Sequence, residues 1–229
     1  MAGAVALSPG PARLDEASRL SWRRRASAAT LRRDDRRWTL WTAAVAVTFA
    51  APSVVLVWLE PLMLPVALVW SAHGYAVCRM QAGRAVRAVV PVGAPRSAAY
   101  GTEGLPGEMA LGLLGDLLGH RERELMARTG LTLERGRLGV WLLGERGALL
   151  MRPGGRRLDS FCVRVEEDRD LPAGDRVAHL LLALREDEEG FLTVANMNFS
   201  GAAWRCRRRM EPGRREALGA ARAALAADG

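Results

Sequence analysis

Four groups of side chains in this 229-residue chain have types and spacings that could do chemistry. His120 and Glu124 stand four apart, which places both on one helix face at a spacing suited to two metal ligands. Zinc takes three or four ligands and no third lies nearby, so the segment HRERE reads better as a solvent face of paired charges. His179 could act as a base toward a hydroxyl such as Ser160. However, no Gly-x-Ser-x-Gly elbow accompanies it and Ser160 has no assignable partner, so a satisfied buried or edge histidine fits its apolar run better. Glu166, Glu167, Asp168 and Asp170 crowd a strand end and could hold a divalent cation. Their spacing departs from the EF-hand loop, and a solvated turn is the simpler reading.

The fourth group is Asn196, Asn198 and Ser200, which alternate and would share one face of a strand, with Trp204 close behind. Amides on an otherwise apolar strand are costly to bury unpaired, so these four residues are the best ligand or partner contact in the chain. The competing reading is the polar outer face of a half-exposed sheet. Asn198-Phe199-Ser200 also spells a glycosylation sequon, which a cytoplasmic location would make inert. No catalytic residue, metal centre or cofactor is expected from these patterns.

All 33 basic residues are arginine and lysine is absent, which GC-rich coding explains better than selection at every position. The absence removes the Walker A lysine, Schiff-base and pyridoxal lysines, the kinase strand lysine and the lysine of carboxylate-rich nuclease sites. The three cysteines are widely spaced and form no CxxC pair, so neither a disulfide framework nor a zinc site is implied. The first residues, MAGAVALSPGPARLDE, lack the basic and apolar regions of a cleaved signal peptide.

The elements that position these groups begin with residues 38–78. WTLWTAAVAVTFAAPSVVLVWL and PLMLPVALVWSAHGYAVC are uncharged runs broken only at Glu60-Pro61. As helices they would be about 33 Å and about 27 Å long, close to the thickness of a bilayer core. They read as a transmembrane helical hairpin. Thr42, Ala46 and Ala50 on the first span and Ala67, Ser71 and Gly74 on the second form small faces suited to close packing or to homodimerisation. Pro52 should kink the first span, and Trp38, Trp41 and Trp58 fall where interfacial rings are favoured. His73, within a span but without an acidic partner, reads as structural.

Net charge is +8, and its placement matters more than its size. Residues 1–37 carry nine Arg against four acids, Arg79–Pro106 four against one, and the remainder twenty against nineteen. The excess flanks the spans on one side, the positive-inside pattern, which predicts an inner-membrane protein with both termini cytoplasmic. Arg23, Arg24, Arg25, Arg32, Arg33, Arg36, Arg37, Arg79, Arg84 and Arg87 are the expected contacts to anionic lipid headgroups. A near-neutral domain argues against nucleic acid as a partner.

The remaining organisation is a basic leader (1–37), disordered at first and then an interfacial helix, and a helix extension with a Pro/Gly linker (79–105). Residues 106–229 form a cytoplasmic α+β domain: helix, antiparallel sheet of four to five strands, helix. A single helix is predicted from Pro106 to a Gly130 cap, with Leu111, Leu114, Leu118 and Leu125 inward. Strands are predicted around Gly144–Gly147 and over RLDSFCVRVE. RVAHLLLALRE and FLTVANMNF read as a hairpin with an acidic tip, although Val177–Leu184 also fits a helix. A final helix starts near Pro212. The basic cluster Trp204–Arg209 would dock on lipid or pair with Glu186–Glu189.

The function expected from this organisation is a non-enzymatic, membrane-anchored scaffold or regulatory module with membrane lipids and a protein partner or second copy. A membrane-tethered small-molecule or lipid-binding domain is the alternative, and a hydrolase the third.

Overall fold

A computed structural model describes residues 27–89, 104–163 and 171–227. Arg23, Arg24 and Arg25, the Pro/Gly linker and the acidic turn at Glu166–Asp170 lie outside these residues. Helix α1 spans Ala28–Leu59, a 3-10 turn follows at Pro61–Met63, and α2 spans Leu64–Val89. Both are long and apolar enough to cross a membrane, and only 6% and 11% of their most apolar windows are buried.

The basic leader does not form a separate interfacial helix over Ala28–Arg37; those residues are the first turns of α1. Ser27 caps the helix reciprocally with Thr30, accepting from the Thr30 amide at 3.3 Å while its own amide donates to Thr30 Oγ1 at 2.6 Å. With that start in place, nothing interrupts the helix before Leu59, and it continues through Pro52.

The rest is an α+β fold with a five-stranded antiparallel sheet ordered β1-β2-β3-β4-β5. Helices α3 (Gly104–Leu117) and α4 (His120–Thr129) precede β1 (Thr132–Arg135), β2 (Val140–Gly144), β3 (Gly147–Met151) and β4 (Arg157–Cys162). Then come α5 (Ala173–Glu186), α6 (Glu188–Val194), β5 (Asn196–Ala202), α7 (Ala203–Arg209) and α8 (Arg215–Ala227). The single helix expected from Pro106 is broken at Gly119, the N-cap of α4, while Gly130 closes α4 with φ 70°, as its position predicts.

The predicted hairpin over Arg176–Phe199 is the main correction. Its first strand is α5, because Val177, Leu180, Leu181 and Leu184 recur at helical spacing and all four are buried. The acidic tip is the α5–α6 junction, where Asp187 accepts from the Gly190 amide at 2.9 Å and starts α6. The fifth strand is supplied instead by β1, four residues too short to announce themselves by alternation.

Both faces of the sheet are covered, so β2 and β3 are buried along their whole length. On one face, Val140, Leu142, Leu149, Leu158 and Phe199 pack with α7, α8 and the last turns of α2, where Ala82, Ala85, Val86 and Val89 are buried. On the other, Trp141, Leu143, Leu150 and Phe161 pack with α3, α4, α5 and α6, and Leu31 of α1 joins this core. The open ends of the two hairpin helices therefore lie on opposite faces of one sheet. The edge of that sheet is gripped between them.

Candidate functional site

Two places combine charge with construction, and both lie at the open end of the hairpin. The first is a buried polar chain between α1 and the sheet. Arg152 follows β3 and points the same way as Ala148 and Leu150, so its guanidinium meets Asp159 of β4: Nε lies 2.5 Å from Oδ2. Its Nη2 donates to the Leu31 carbonyl at 2.7 Å. The Ser200 hydroxyl of β5 donates to the other Asp159 oxygen and lies 3.4 Å from Asp35 Oδ1. Asp35 accepts from Arg157 Nε at 2.9 Å, and Arg157 Nη2 also donates to Thr39 at 2.9 Å. Three strands and one hairpin helix are thus joined by alternating charges.

Asp159 is 1% exposed, and burial raises its pKa above the ordinary carboxylate value. Arg152 opposes that shift, and the neighbouring Asp35 charge adds to it. Asp159 and Ser200 at its centre are buried, and the hydroxyl is committed to a carboxylate. It is a structural lock. On the opposite face Ser160 donates to the Ala85 carbonyl of α2 at 3.1 Å, fastening the second helix.

The second place is a cleft of about 480 Å³ between α1 and α2. Asp34, Arg37, Trp38 and Trp41 line it from α1, and Gln81 and Arg84 from α2. Trp38 and Trp41 meet edge to face with centroids 6.2 Å apart. Arg32, Arg33, Arg36, Arg79 and Arg87 are exposed around the same end, with Arg79 stacked over Tyr75.

Below the cleft, α2 meets α1 at Ala67, which is buried, at Ser71, which donates to Ser53 at 2.9 Å, and at Gly74, which meets Phe49. On α1 only Thr42 of the expected stripe is buried. Ala46 and Ala50 are exposed, and the face turned to α2 runs through Thr42, Val45, Phe49 and Ser53. Ser53 Oγ lies 2.8 Å from the Phe49 carbonyl and 3.2 Å from the Ala67 carbonyl. An i+4 repeat of small residues drifts around a 3.6-residue helix, and the bulkier Val45 and Phe49 follow the seam.

The Asn196–Trp204 patch is divided. Phe161 pairs with Met197 and Ser160 with Phe199, which leaves Asn198 as an extra residue in a bulge. Beyond it the alternation is reversed, so Ser200 faces Asp159 on the side that Met197 occupies, opposite Asn196. Asn196 is exposed and Ser200 is buried. Trp204 belongs to α7, where Arg205 and Arg208 stack on its ring at 5.6 and 5.1 Å.

His120 and Glu124 form an exposed pair at 3.1 Å, and among the described residues no three metal-ligating side chains converge. His179 lies on the exposed face of α5, away from Ser160. Burial pushes the Cys206 thiol up to about 12, leaving it protonated and unreactive. Glu188, which no sequence pattern singled out, is 6% exposed and accepts from the Arg137 and Leu138 amides and the Trp141 indole at 2.7, 3.2 and 2.5 Å. It ties the β1–β2 turn to α6. Set beside known proteins, the chain matches no family model, no curated sequence and no solved structure.

Proposed function

We propose that this chain is a bacterial inner-membrane scaffold or regulatory module: a two-span hairpin with both termini in the cytoplasm, presenting its α+β domain in a fixed orientation. The observation that carries this reading is the grip of α1 and α2 on opposite faces of the sheet, which makes the anchor part of the domain's core. A flexible tether would need no such contacts.

Other features support it. Leu40, Val47, Val54, Trp58, Leu68 and Trp70 are all exposed on the hairpin, a sheath that water would penalise and lipid would accept. Arginines ring the open end, while the turn carries Glu60. Arg157 reaches Thr39 at the edge of the apolar run and pairs across the sheet with Ala202, next to the start of α7. Trp204, 54% exposed, and its arginines would then rest on the headgroups. Leu105, Met109 and Leu113 form an exposed apolar stripe on α3, suited to a protein partner.

A reporter active only in the periplasm tests the topology. Fused after Gly229 it should be silent, and inserted at the Glu60-Pro61 turn it should be active; the reverse would overturn the assignment. For the scaffold role, a photo-crosslinking residue at Met109 should give one discrete adduct with another membrane protein. A ladder of non-specific adducts would count against it.

A further inference from the structure

The cleft at the open end of the hairpin is lined by groups that no other described residue engages. Gln81 is only 8% exposed, and its amide has no side-chain hydrogen-bond partner among the described residues. The amide end stays open to the cleft, where an occupant's oxygen can accept from it. Arg37 and Arg84 face the cleft from the two helices, and among the described residues neither has a carboxylate within salt-bridge distance. Asp34, on the same wall, likewise has no cation. Two indoles close the side toward the apolar span.

An occupant that satisfies all of these must carry an anion with several acceptor oxygens, a cation a few bonds away, and an apolar tail. We infer that the cleft binds the headgroup of a single aminated glycerophospholipid. Arg37 and Arg84 hold the phosphodiester, the Gln81 amide donates to one of its oxygens, and the head-group ammonium meets Asp34 beside the indoles. The acyl chains follow the exposed apolar flank of the hairpin. A purely anionic headgroup would leave Asp34 facing a negative charge, so the ethanolamine type is preferred over the glycerol type. This assignment rests on the membrane reading above.

The full chain, purified in mild detergent, is titrated with phosphatidylethanolamine and with phosphatidylglycerol, and bound lipid is counted by native mass spectrometry. One tightly held phosphatidylethanolamine is expected. Arg84→Gln should weaken it about tenfold, the scale of one lost charge-assisted hydrogen bond. Asp34→Asn should abolish the preference over phosphatidylglycerol, and Arg121→Gln, exposed on α4 and outside the cleft, should leave binding unchanged. Equal losses in Arg84→Gln and Arg121→Gln would reduce the effect to general surface charge and overturn the site. A preference for phosphatidylglycerol in the native chain would also overturn it. Displacement by inorganic phosphate or soluble glycerophosphoethanolamine at lipid-like concentrations would assign a soluble phosphate ester instead. Alkaline carbonate washing of membranes separates the two levels. A chain that stays in the pellet but selects no lipid loses only this inference, whereas one that is stripped loses the membrane reading as well.

Discussion

The hairpin is held together by different means in its middle and at its open end. Between Trp38 and Cys78 the helices meet through Thr42, Val45, Phe49, Ala67, Gly74 and the Ser53–Ser71 hydrogen bond, with no ion pair among these described residues. Beyond that stretch the same helices are fastened by Asp35, Arg157, Arg152 and Asp159 and by the apolar core under Ala85 and Val89. Van der Waals contact with sparse hydrogen bonding suits an apolar solvent, where burial of hydrocarbon gains nothing. Burial and charge pairing suit an aqueous one. The change of mechanism along one continuous helix follows the border between its uncharged run and its arginine-bearing end.

The largest test of this contrast is Arg152→Ala. It leaves Asp159 buried without its counterion and should cost about 3 kcal/mol, the lower end for a broken buried pair because the carboxyl can take up a proton. The loss would be read as a lowered urea midpoint of the purified chain, and an unchanged midpoint would remove the lock from the account. Asp159 also predicts a pH dependence. Its folded pKa is raised, so the native state holds a proton more tightly than the unfolded chain. The carboxyl's contribution is therefore present at low pH and declines as pH rises from about 3.8 through the folded value. Across that window the midpoint of Asp159→Asn should gain on that of the native chain.

Gly144→Ala probes the grip of α2. A Cβ there would lie 2.7 Å from the Val89 carbonyl and 2.8 Å from Leu131, so backbone must move. A loss of about 1–3 kcal/mol is expected, as for overpacking elsewhere. In the middle of the hairpin, Ser53→Ala should cost only about 0.6 kcal/mol, the usual scale of an interhelical hydrogen bond among lipids. Smallest of all is Ala46→Leu, within about 0.5 kcal/mol, because Ala46 is exposed. A large loss there would restore the stripe through Thr42, Ala46 and Ala50 as the contact face.

The parts of this fold legible in the sequence share one property: a local period or a local composition defines them. The two apolar runs, the glycine-bounded β2–β3 pair, the Gly130 cap and the final helix are of this kind. The α5 run was not legible, because His179-Leu180-Leu181-Leu182-Ala183-Leu184 is apolar enough to satisfy either period until a face is buried. The Asn196–Ser200 patch failed for a related reason: alternation holds only while the ladder is regular, and the bulge at Asn198 inverts it. The gripping residues were invisible for lack of any local signal, since an aspartate in a basic leader and an arginine on a strand are unremarkable alone.

From composition and period, then, follow the existence of two apolar helices, the sidedness of their charge, the α+β class and the loss of every lysine-dependent chemistry. The three-dimensional structure decided that the hairpin and the domain are one body, that Ser200 faces inward, and that Asp34, Arg37, Gln81 and Arg84 share a cleft. Asp35 and Arg157 meet across 122 positions of sequence. Contacts of that range depend on how whole elements stack, a global balance of burial that no window of neighbouring residues encodes.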